Sequence, residues 1–146
     1  MKNIFDFKYV NLFSPDDGVE FIHSIIESLG YGIRDYKSPV VREETLEAIS
    51  QLLELKMLEV YRWGANQKEQ NNLKLSDQDI LNKVEKQWFI GADYVDFLGM
   101  VMFGHPSWYV NKLNELGFTP TTDWKWFVKH KIGDLEKWIK ENRSKR

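Results

Sequence analysis

The chain contains no cysteine, so it can form no disulfide framework, thiolate nucleophile, iron–sulfur cluster or cysteine-ligated zinc site. It has neither a Gly-x-Gly-x-x-Gly nor a Gly-x-x-x-x-Gly-Lys run, which removes the usual glycine cradles for phosphate groups. A Gly-x-Ser-x-Gly elbow is also missing, and Ser24 beside His23 points in a different helical direction, so serine–histidine–acid catalysis has no anchor. No apolar run approaches the roughly 20 residues that span a bilayer. The opening MKNIFDFKYV breaks its apolar stretch with Asp6 and Lys8, unlike the core of a secretory signal, and the expectation is a cytoplasmic chain without membrane association.

What remains is ordinary for a folded protein: 42% apolar and 29% charged residues in a chain of 146. That length suits one domain, residues 1–146. The formal charge of −2 hides an asymmetry. Residues 1–122 carry 12 Lys/Arg against 18 Asp/Glu, and residues 123–146 carry 8 against 4. Proteins that bind nucleic acid gain most of their non-specific affinity by neutralising phosphates, so an acidic body argues against DNA or RNA and favours a basic partner. The plainer reading is that the acidic excess serves solubility.

Nine glycines and four prolines punctuate the chain, with no internal repeat. Ser14-Pro15-Asp16-Asp17 reads as a helix start, followed by Val19, Ile22, Ile25, Ile26 and Leu29 at helical spacing and a stop at Gly30. A second helix is predicted from near Arg42, burying Leu46, Ile49, Leu52 and Leu53. Leu58 to Trp63 alternates like a short strand. The polar stretch Gly64 to Asn72 then separates it from Leu73-Lys74-Leu75, which the pattern offers as the return arm of a hairpin.

Ser76 and Asp79 resemble a capping box before Ile80, Leu81, Val84, Trp88 and Phe89. Asp93 caps a helix with Tyr94, Phe97, Leu98, Val101 and Met102, and Ser107 opens another through Leu113 to Gly117. Thr122 or Asp123 starts a segment that kinks near Ile132-Gly133-Asp134. Ile4 to Val10 fits strand and helix equally. The expected fold is mainly α, a single domain of five to seven helices with one small β-hairpin.

Candidate chemistry is sparse. Glu20 and His23 share a helix face, as carboxylate and imidazole do in helical metal sites, but a di-metal bundle needs that motif twice and it occurs once; a solvated face is the plainer reading. The expectation is therefore no metal, no cofactor and no catalytic residue. Six tryptophans stand out, and core packing accounts for most of them. Trp63, next to the polar stretch, fits the core or an interface anchor. Helix, strand and return arm from Leu46 to Leu75 also echo a winged helix, yet the helix that would enter the groove starts Arg42-Glu43-Glu44-Thr45-Leu46-Glu47, mostly acidic where bases and phosphates require Arg, Lys, Asn or Gln.

The segment Leu52-Leu53-Glu54-Leu55-Lys56-Met57-Leu58-Glu59-Val60, then Leu75-Ser76-Asp77-Gln78-Asp79-Ile80-Leu81-Asn82-Lys83-Val84 with Trp88, resembles small bacterial immunity proteins encoded beside polymorphic or contact-dependent growth-inhibition toxins. The pattern covers residues 42–90, about a third of the chain. The resemblance implies a small, cytoplasmic, non-catalytic antitoxin that binds a cognate toxin domain, often a basic nuclease, and blocks its active site. It carries over no contact residues. Exposure and charge nominate Glu43, Glu44, Glu47, Glu59, Glu69, Asp77 and Asp79, with Trp63 as an anchor, for contact with the partner. The alternative is a winged-helix-like regulatory or binding domain.

Overall fold

Local signals set the boundaries of most helices in the computed structural model, which describes residues 2–64 and 75–143. Ser38 accepts a hydrogen bond from the Val41 N–H (3.3 Å) and Pro39 fills the first turn, so α2 (Pro39–Glu54) starts three residues before Arg42. Ser76 accepts from the Asp79 N–H (3.1 Å) and starts α3 (Asp77–Gln87), with two acids facing its positive end. Asp93 and Asp96 together cap α4 (Tyr94–Leu98). Then α5 (Ser107–Glu115) follows Pro106. Asp123 opens α6 (Trp124–Phe127), a wide turn follows over Val128–Ile132, and Gly133 with φ +85° allows the change of direction into α7 (Leu135–Arg143).

The first helix departs from expectation. Ser14 to Asp17 forms turns, and α1 spans Ile22–Ser28. A Cβ at Gly18 would lie 2.0 Å from the Asn11 carbonyl oxygen, so this stretch is pressed against the preceding segment. The Glu20 carbonyl accepts from the Phe103 N–H at 2.8 Å and is committed to a distant strand. The helix begins only where Ser24 Oγ accepts from the Phe21 N–H.

The small antiparallel element is present, with a partner that the sequence pattern did not nominate. Strand β1 (Glu59–Arg62) pairs with β2 (Met102–Gly104), Glu59 opposite Gly104 and Val60 opposite Phe103, with an irregularity before Arg62. Leu75 belongs to no strand, and Leu73 and Lys74 lie outside the described residues. Phe103 is buried and also bridges to Glu20, so β2 joins the ribbon to the turn before α1.

Residues Phe7–Phe13, ambiguous in sequence, form a 3-10 segment. Helices α2 and α3 run antiparallel: Arg42 near the start of α2 reaches the Glu85 and Trp88 carbonyls, while Lys56 just beyond its end pairs with Asp77. The buried apolar side chains join into one cluster from Ile4 to Ile139, with Trp88, Tyr109, Phe13, Phe97 and Phe127 among its largest members. The chain is mainly α: 58% of the described residues are helical, and they hold this one two-stranded sheet. No described helix is long and apolar enough to cross a membrane.

Candidate functional site

The late start of α1 leaves Asp16 and Asp17 exposed on a turn and Glu20 just ahead of the helix. These three carboxylates stand between two concavities. One is a cleft of about 710 Å³ whose walls also include His23, Glu27 and Tyr94; the other, about 300 Å³, runs toward Tyr61 and His105. None of the three is ion-paired among the described residues. Burial, and then the neighbouring Asp17 charge, raise the Asp16 carboxyl above its ordinary pKa.

The cleft wall toward α1 is aromatic. The His23 ring lies 4.8 Å from Tyr94 and 5.6 Å from Phe21, and its Nδ1 is 3.3 Å from Glu27 Oε2. The same Glu27 oxygen accepts from the Tyr36 hydroxyl at 2.5 Å. Burial and Glu27 push the Tyr36 phenol well above its usual range. His23 Nε2 is buried and has no hydrogen-bond partner among the described residues. Carboxylates beside ring faces suit a cation, which can be paired and stacked at once. Among the described residues no group of three or more His, Cys, Asp and Glu side chains is disposed to hold a metal ion, the Glu20–His23 pair included.

Next to the cleft the surface turns apolar. Phe89, Ile90, Tyr94, Val95 and Leu98 are all exposed, Ile90 at 79% and Val95 at 77%. Phe89, expected in the buried stripe of α3, lies beyond the end of that helix, and α4 carries Tyr94 and Leu98. The helix carrying the last two is only five residues long and spends its inward face on Phe97, which packs edge-on against Trp88 and Tyr36. Tyr94 and Leu98 also line the acidic cleft, so ridge and cleft are continuous. An ion pair between Lys37 and Asp93 (3.7 Å) ties α4 to the stretch that exposes Ile33 and Val40.

The residues nominated from sequence lie elsewhere. Glu43 is exposed on α2, whereas Glu44, half-buried, is held by Tyr31 and by Lys2. Glu47 is half-buried. Asp77 pairs with Lys56 at 2.9 Å, and Asp79 is exposed beside it. Asp77 therefore sits at the far end of α2 from Glu43, about 20 Å away at 1.5 Å of rise per residue. Glu59 is exposed on β1, and Glu69 lies outside the described residues. Trp63 is 2% exposed, with the Lys83 ammonium 4.8 Å from its ring centre and its carbonyl accepting from Gln87; it belongs to the core, not to a surface anchor. The one cue for the ridge was excess, since residues 88–103 hold more large apolar side chains than short helices can bury.

No protein-family model, curated protein or solved structure matches the chain.

Proposed function

We propose that this protein is an immunity protein: it binds a cognate bacterial toxin domain and neutralises it by covering the active site, without any turnover of its own. The observation that carries this reading is the exposed apolar ridge of Phe89 to Leu98 lying beside carboxylates that no described cation pairs. Large apolar side chains left in water mark association surfaces, and a border of like charge selects a partner of opposite sign and speeds encounter. A basic nuclease, whose cleft is built for phosphate, fits that description. The ribbon supports this reading over a winged helix, because α3 and α4 intervene between its strands and no short hairpin forms from them.

Co-expression tests it. Cells carrying the toxin domain encoded beside this chain's gene should grow only when the chain is present, and the two proteins should purify as a stable complex. Continued killing with the chain abundantly expressed, or conversion of a substrate by the pure chain alone, overturns the reading.

A further inference from the structure

Resting on that reading, we infer that the toxin docks on the face formed by α4 and the turn before α1, its apolar residues covering Ile90 and Val95 while one of its arginine or lysine side chains enters the cleft beside Asp16, Asp17 and Glu20. Three arguments favour this face. First, its acids are unspent: Glu44 and Asp77 on the α2–α3 side already answer to Tyr31, Lys2 and Lys56, whereas Asp16, Asp17 and Glu20 have no ion pair among the described residues. A free carboxylate pays less desolvation for a new partner than one that must first leave an old one.

Second, the apolar and acidic parts touch. Tyr94 and Leu98 belong to both, so an incoming basic side chain is desolvated by the same contact that buries the ridge. Anchors at the centre of a surface with charge at its edge match how binding energy is distributed in protein interfaces. Trp126, exposed on α6, is flanked in sequence by Lys125, Lys129 and Lys131, which would repel a basic partner.

Third, the cleft fits the side chain. Its volume of about 710 Å³ accommodates an extended arginine, whose planar head can pair with one carboxylate and lie against the Tyr94 ring. Burial and Asp17 disfavour the charged form of Asp16, and a cation seated beside it offsets both effects.

The test titrates the full chain against the toxin domain used for co-expression, by calorimetry and by stopped-flow association at several salt concentrations. Val95 is exposed, so Val95→Glu should keep the fold and weaken the complex by about 100-fold, mainly through faster dissociation. The double variant Asp17→Lys with Glu20→Lys should slow association about 10-fold at low salt and flatten its salt dependence. Glu43→Lys, on α2, should change affinity by no more than about threefold. Wild-type binding by both face variants overturns this inference and leaves the immunity reading standing. A wild-type chain that forms no complex removes the immunity reading itself. A wild-type dimer that Val95→Glu converts to monomer assigns the ridge to a second copy, against the inference.

Discussion

The indole N–H of Trp124 donates to the Val10 carbonyl at 2.8 Å, joining residues 114 apart in sequence. Two further donors serve the same segment: Tyr109 hydroxyl to the Phe13 carbonyl at 2.6 Å, and His105 Nε2–H to the Leu12 carbonyl at 2.8 Å. A short 3-10 segment satisfies few of its own carbonyls, and these are buried. The C-terminal third thus supplies the hydrogen bonds that the N-terminal segment lacks, and the turn bearing Asp16 and Asp17 starts from that fixed point.

Trp124→Phe keeps an aromatic ring and removes the donor. The stranded Val10 carbonyl should lower stability by about 1–3 kcal/mol, with a further contribution from the smaller ring. Urea denaturation measures it, and an unchanged midpoint would show that the indole bond contributes nothing.

His105 sets an acid limit on stability. Burial pushes its imidazole down to about 4 from the usual 6.5, against the opposing pull of the hydrogen bond to Leu12. Between those values the unfolded chain binds the proton that the folded chain refuses, so stability falls as pH is lowered from 6.5 toward 4, by up to about 3 kcal/mol. Wild type and His105→Gln, unfolded in urea at a series of pH values, should differ in slope across that window and run parallel above it.

Gly18 is fixed by space. An alanine Cβ would meet the Asn11 carbonyl oxygen at 2.0 Å and that of Ser14 at 2.9 Å, both backbone atoms that no rotamer change can move. Gly18→Ala should cost about 3 kcal/mol or more and displace the turn that presents Asp16 and Asp17. Gly32, with extended backbone and nothing within 4 Å of a built Cβ, should accept alanine within about 0.5 kcal/mol. Equal thermal midpoints for the two variants would refute the steric argument.

Asp17→Asn separates function from stability. Removing the neighbouring charge should lower the Asp16 pKa, which NMR titration of its carboxyl carbon reads directly. A carboxyl whose folded pKa is raised favours the folded state at low pH and loses that contribution as pH rises past its unfolded value near 3.8, so relieving it should stabilise the chain slightly at neutral pH. If the proposed face is the binding surface, the same variant should also bind the proposed toxin partner more weakly, as expected where acids are kept for a partner.

The helix caps were readable because they are local. Ser76 with Asp79, Asp93, Asp123, and the stops at Gly30 and Gly117 each depend on side chains within a few residues of the backbone groups they serve. Ser14-Pro15-Asp16-Asp17 carried the same signal and lost, because Gly18 packs on Asn11 and Glu20 bonds to Phe103, contacts no local pattern records. The nominated acids on α2 and α3 were chosen by charge alone, and charge does not say which carboxylates already hold a tyrosine or a lysine.

Composition and spacing by themselves determined a cysteine-free, mainly helical chain with an acidic body, the helix starts at Ser76, Asp93, Ser107 and Asp123, and a strand within Leu58–Trp63. Tertiary structure alone decided that this strand pairs with Met102–Gly104, that Trp63 is interior, that Ile90 and Val95 face water, and that Tyr94 and Leu98 share a cleft with Asp16, Asp17 and Glu20. The reason is physical: a helix cap is satisfied by its neighbours in the chain, whereas a strand's partner and the burial of an apolar side chain depend on which distant surfaces remain once the rest of the core has closed.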